Sequence, residues 1–360
     1  MNLHSLTLVL GLALSVPVRA DLLVSSFSSS QVFRCNENTG LLIDTFVPNT
    51  NGLLNLPHGL AFGPDGHLYV ASAGNDAVLR YDGTNGGYRG VFVTSGLGGL
   101  DYPVWLEFRG GALYVSSQLN NQVLRYHATN GAFLGAFVST NDNGGLNGPS
   151  GMAWGPDGHL YVVGRFGNHV LRYDGTNGAF LSAFVAAGGG GLSQPFGGQF
   201  GPDGNFYVAS GNNAKVARFH GTNGTYLGDF VVSAGSGLSL PIGLEFGPGG
   251  HLFVASFNNH RIVRFNGTTG ALLGNFVTNV AGLNGPNFMR FHDFGAPRLN
   301  PAQRAGTNLI LSWAARSDTR LQFHTNLATT NWADLPATLG RGAATNGAGT
   351  DAEFYRLRKD

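Results

Sequence analysis

Apolar and polar positions alternate along this chain in short runs, and nearly every run ends at Gly, Pro, Asn or Asp. "HGLAF" (58–62), "HLYVAS" (67–72), "AVLRYD" (77–82) and "GYRGVFV" (87–93) have the β-branched and aromatic content of strands. The turns "GPDG" and "GTNG" beside them supply the positive φ that tight hairpins need. No segment holds a 3.6-residue period with helix caps. The pattern predicts four short strands in this stretch and no helix.

The group of four then returns. Residues 63–86 read GPDGHLYVASAGNDAVLRYDGTNG, and residues 155–178 read GPDGHLYVVGRFGNHVLRYDGTNG. Arg34, Arg80, Arg125, Arg172, Arg218 and Arg264 mark six units, 45 to 47 residues apart. Six four-stranded units of that length predict an all-β, six-bladed β-propeller. The first unit starts at Asp21 with "DLLVSSF", the counterpart of a second strand. Its missing first strand is supplied by "PNFMRFHDFG" (286–295), so the C-terminal strand is expected to complete the N-terminal blade. Closure removes the free sheet edges of an open array.

These units resemble the NHL-repeat propellers, whose repeats carry a Gly-apolar-Ala start, a D-G-N-apolar-Y-V-A-D core and a G-N-x-R-V run. The resemblance covers residues 21 to about 295. It implies a six-bladed fold whose members include binding platforms, signalling ectodomains and some enzymes. Gluconolactonase-type and streptogramin-lyase-like propellers are similar in shape. This chain departs from the NHL pattern in placing Ser72, Ser210 and Ser256 where Asp usually follows "YVA".

From residue 296 the period stops. Leu309, Leu311 and Trp313 alternate, as do Leu321 and Phe323. Residues 296–360 are expected to form a small β-sandwich-like module, and they resemble the immunoglobulin-like modules appended to secreted bacterial proteins.

Composition adjusts the picture at three points. The apolar run at 6–16, followed by "VRA", has the form of a signal peptide ending at residue 20. A secreted or periplasmic protein with no membrane span after cleavage is therefore expected. Charged residues are only 11% of the chain and the net charge is +1, so no basic surface exists to neutralise phosphates, and nucleic acid is not expected. The one cysteine, Cys35, stands where the other units have Tyr or Phe, a packing position.

Candidate chemistry belongs in the positions that change between units. The resemblance implies that the face carrying the loops after the second and fourth strands is the usual site. There Arg165, Asn168 and His169 stand out in one unit, and Asn259, His260 and Arg261 in another. These residue types suit sugar hydroxyls, peptide carbonyls or carboxylates. Aligning the innermost strands puts Ala61, Glu107, Ala153, Gln199, Glu245 and Arg290 at one channel level, and Trp105 and Phe288 at a level otherwise held by Gly. His58 is a further channel-side candidate. Gluconolactonase-type propellers hold a divalent ion in the channel. Glu107, Gln199 and Glu245 offer oxygen ligands for Ca²⁺, but Arg290 opposes a cation. His67, His159 and His251 sit on alternate blades but too far from the axis to share a zinc ion. No nucleophile elbow or phosphate loop is present.

The expected function is a monomeric, cofactor-free binding scaffold for a protein or a carbohydrate. The alternative is a metal-dependent hydrolase or lyase working in the channel. A Glu245–Arg290 pair and a channel blocked by Trp105 would count against that alternative.

Overall fold

The computed structural model describes residues 20–50, 53–278 and 280–294 in full, and the backbone of six strands between 303 and 359. Residues 1–19 of the expected signal peptide (1–20) lie outside the described residues. Six four-stranded antiparallel sheets make the propeller. Blade 2 is Pro57–Phe62, Leu68–Ser72, Ala77–Tyr81 and Tyr88–Val93, within a residue or two of the expected strands. Blades 3, 4, 5 and 6 begin at Pro103, Pro149, Pro195 and Pro241 and run in the same order. Blade 1 takes its inner strand from the other end of the propeller: Pro286–His292 pairs with Asp21–Ser26, with Leu23 opposite Arg290. The first described strand begins at Asp21.

The repeated residues build the blades. In "GPDG", Asp65 accepts a bond from the Tyr69 hydroxyl at 2.9 Å and lies 3.9 Å from Arg80; Asp157, Tyr161 and Arg172 repeat the arrangement at 2.8 and 3.7 Å. In "GTNG", the last Gly turns the chain against the preceding blade. A Cβ on Gly86 would stand 1.7 Å from the Phe46 carbonyl oxygen, and φ there is +72°. The same contact recurs at Gly131, Gly178, Gly224 and Gly270, and Gly40 of blade 1 meets Phe276 of blade 6, closing the ring on its outer side as well. Only Gly fits these places, which is why the turn is copied.

Apolar wedges fill the spaces between neighbouring blades. One joins Leu22, Val24, Phe33 and Cys35 of blade 1 to Phe253, Ile262 and Phe276 of blade 6. Cys35 is fully buried there, and burial pushes its thiol up to about 12. In the C-terminal stretch, Gln303–Ala305, Asn308–Ser312 and Ala343–Gly347 form one antiparallel sheet, and Ala333–Asp334, Thr319–His324 and Phe354–Lys359 a second.

Candidate functional site

The channel is packed rather than open. Trp105 of blade 3 meets Phe288 of blade 1 edge to face, with centroids 4.9 Å apart. Both are buried, together with Val104, Phe196 and Ile242. The glycines at the same level let inner strands approach: a Cβ on Gly243 would lie 2.5 Å from the Asn287 carbonyl oxygen, and one on Gly197 2.7 Å from that of Ile242. Two mouths remain.

The mouth on the "GPDG" side carries Glu107, Gln199, Glu245 and Arg290. Arg290 reaches Glu245 at 3.5 Å. Burial raises both Glu107 and Glu245 above the ordinary carboxylate range. Arg290 opposes the rise in each, and the neighbouring Glu245 adds to it for Glu107. A cleft of about 260 Å³ opens beside them over the small Ala61, between Phe62, Glu107, Arg290 and His292. The His292 ring is stacked on Phe62 at 3.4 Å. Arg290 pairs with Glu245 and its charge also acts on Glu107, so both carboxylates already feel a cation that opposes a divalent ion. These residues do not suit a metal.

The opposite mouth is the variable-loop face, and most of its distinctive residues join the blades. The loop after each second strand holds one residue in the left-handed region: Ser30, Asp76, Asn121, Asn168, Ala214 and His260, with φ between 51° and 58°. Its side chain accepts a bond from a backbone N–H of the next blade, at the residue before the inner-strand Pro. Asp76 takes Tyr102 N–H at 2.8 Å, Asn121 takes Gly148 at 2.8 Å, Asn168 takes Gln194 at 2.7 Å and His260 Nδ1 takes Gly285 at 3.0 Å. Ser30 takes Leu56 at 3.3 Å. Ala214 has no acceptor to offer Leu240. Asn259 donates to the Gly237 carbonyl at 2.8 Å, and Arg261 to the Asn259 carbonyl at 3.2 Å.

The serines that end the second strands of blades 2, 5 and 6 are joints too. Ser72, Ser210 and Ser256 each accept the N–H of the incoming loop, at 3.0, 2.9 and 2.8 Å. Blade 4 has Gly164 at this place. A Cβ there would lie 2.1 Å from Nε2 of His169, so the imidazole fills the space the serine uses elsewhere. His169 is accordingly buried, and burial lowers its pKa.

Arg165 differs from these. It turns toward the axis and lays its guanidinium over Phe196 at 4.0 Å and Phe166 at 5.0 Å. Its nearest polar side-chain partner is the Gln194 amide oxygen, at 3.5 Å. No carboxylate among the described residues lies within ion-pair range. Burial lowers its pKa, and Tyr102 opposes the shift. Across the axis, His58 is 5% exposed and packs against Tyr102 and Phe27, at 5.4 and 5.2 Å between centroids. Burial first, and the Arg165 charge second, push His58 down to about 3, so it is neutral. Its Nδ1 faces the Asn287 amide nitrogen at 2.8 Å. With that amide donating, the ring proton sits on Nε2, which has no partner among the described residues. Gln118 takes the Arg165 position one blade earlier. It is 3% exposed, and its Nε2 also lacks a partner among them.

The candidates from sequence thus separate. Arg165 and His58 come together at one mouth, and Glu107, Glu245 and Arg290 at the other. Trp105 fills the channel between them. Asn168, His169, Asn259 and His260 hold the fold. Tyr102, Gln118 and Gln194 were missed; aligning the residue before each inner-strand Pro and the residue after each second strand would have found them.

No family model and no curated protein matches the sequence. Solved structures match the fold. A chain from the crystal structure of a nidogen/laminin complex aligns with a TM-score of 0.59 at 14% identity, covering 75% of this chain and 97% of that one. A Bacteroides caccae protein of unknown function gives 0.58 at 13%, covering 75% and 98%. Virginiamycin B lyase from Staphylococcus aureus gives 0.52 at 14%, covering 82% and 92%. At such identities the likeness concerns architecture alone, and in architecture this chain is a six-bladed β-propeller.

Proposed function

We propose that the chain is an exported binding scaffold that takes its ligand at the variable-loop mouth of the channel. The observation that carries this reading is Arg165, a half-buried cation on aromatic rings with no carboxylate beside it among the described residues. Such a group costs stability in the free protein, and a ligand that pairs with it recovers that cost. Phe166 lies under the guanidinium, Phe27 and Tyr102 pack on His58 at the same mouth, and Phe257 packs on Phe27; aromatic residues are enriched at interfaces. A structural neighbour has been crystallised as a nidogen/laminin complex, so this architecture supports partner binding elsewhere. The reading of a metal-dependent hydrolase or lyase in the channel is disfavoured by the Glu245–Arg290 pair and the Trp105–Phe288 plug.

The test is a hydrogen-exchange footprint of the mature chain with ligands selected from displayed peptides and arrayed glycans. Protection is expected in loops 27–30, 118–121, 165–168 and 257–260. Protection confined to the "GPDG" and "GTNG" turns would overturn the reading. Export is tested by expressing the full chain in a bacterial host. A mature form starting at Asp21 outside the cytoplasm is expected.

A further inference from the structure

Three nitrogen donors at the variable-loop mouth have nothing to donate to among the described residues. They are Arg165 Nε, Gln118 Nε2 and, with the Asn287 amide donating to its ring, His58 Nε2. His58 and Gln118 are more than nine-tenths buried, so water does not readily satisfy them. Unpaired Nε atoms also occur on Arg125 and Arg218, but those guanidinium groups lie over Phe137 and Phe230 on the outer part of their blades. Asn287 Oδ1, beside His58, is an unmet acceptor at the same mouth. The three donors, one of them a cation, call for an acceptor that carries negative charge.

Resting on the loop-face reading above, we propose that the mouth receives the carboxylate of an Asp or Glu side chain presented by a partner protein. Arg165 would carry the charge pair, and His58 and Gln118 would add neutral hydrogen bonds. A carboxylate has two acceptor oxygens and suits a forked guanidinium. The surroundings decide between a protein and an acidic sugar. Phe27, Phe166 and Phe257 border the site, and Phe166 is 44% and Leu119 58% exposed. A sugar would turn several hydroxyls onto these apolar groups without partners, at a cost for each. An acidic residue flanked by apolar neighbours buries its flanks and pairs its charge. The pattern of a polar anchor within a hydrophobic ring is that of an interface hot spot.

The test is selection of random phage-displayed peptides on the immobilised mature chain. The same selection is run on Arg165→Gln, with thermal melts to show that the variant folds. Arg165→Lys serves as a second variant that keeps the charge. The expected peptides share one Asp or Glu between apolar residues. Replacing that acid by its amide, or Arg165 by Gln, lowers affinity about tenfold or more. Gln118→Leu lowers it less. Peptides without an acid, or peptides bound equally by Arg165→Gln, would overturn the carboxylate. If they still footprint on the loop face, the proposed function survives. If polygalacturonate fragments bind in an Arg165-dependent way and no peptide does, the partner is a glycan and the protein assignment falls. If neither binds, the proposal is wrong.

Discussion

The joints between blades can be tested by adding one that is missing. Blade 5 has Ala214 where the other blades carry a side-chain acceptor, and its φ is 52°. Ala214→Asn should let the new amide oxygen take the Leu240 N–H, as Asn168 takes Gln194 at 2.7 Å. One such bond contributes about 1 kcal/mol net. Asn tolerates the left-handed backbone better than Ala, where an ordinary residue pays about 1–2 kcal/mol. Ordering the new side chain takes back up to about 1 kcal/mol. The net gain is about 1 kcal/mol, or roughly 2–4 °C in Tm for a large domain. The reciprocal change, Asn168→Ala, leaves the Gln194 amide orphaned and puts Ala in the strained conformation. Those two costs together reach about 2–4 kcal/mol. Asn168→Asp, which keeps the acceptor, should change little. Calorimetry and urea titration of residues 21–360 give both quantities. If Ala214→Asn is neutral while Asn168→Ala costs the expected amount, acceptor and backbone alone do not make the joint. If Asn168→Ala is also neutral, the reasoning fails.

Three further outcomes follow from the same contacts. Gly164→Ser should destabilise the fold by more than about 2 kcal/mol because its side chain meets the His169 ring, and His169→Gln should restore most of the loss; additive effects in a double-mutant cycle would exclude the shared space. Burial raises the Glu107 pKa in the folded state, so the folded protein binds this proton more readily than the unfolded chain and stability contributed by Glu107 falls as pH rises above about 4.5 through the raised value; Glu107→Gln should therefore gain stability over the wild type as pH rises above about 4.5, and parallel pH profiles in urea would refute this. Cys35, buried with its thiol raised to about 12, should react with a thiol reagent only on unfolding, and rapid labelling of the native protein would show the wedge between blades 1 and 6 to be open.

What the sequence determined is what one repeat unit decides locally. Strand limits, "GPDG" and "GTNG" turns, the count of six blades and the closing strand at 286–292 are legible because a four-stranded meander forms its hydrogen bonds within about 46 residues of chain. The packing position of Cys35 follows from the same alignment. What a loop residue does depends on the neighbouring blade, and the alignment carries no information about that neighbour's distance or phase. Asn168 and His260 read as ligand-binding residues and are acceptors for an amide of the next blade. His169 reads the same way and fills the space left by Gly164. Arg165 and His58 lie two blades apart, 107 positions apart in sequence, and only closure of the ring brings them to one mouth. The scaffold was written in short-range pattern; the site exists because a circular fold turns unrelated loop positions toward one axis.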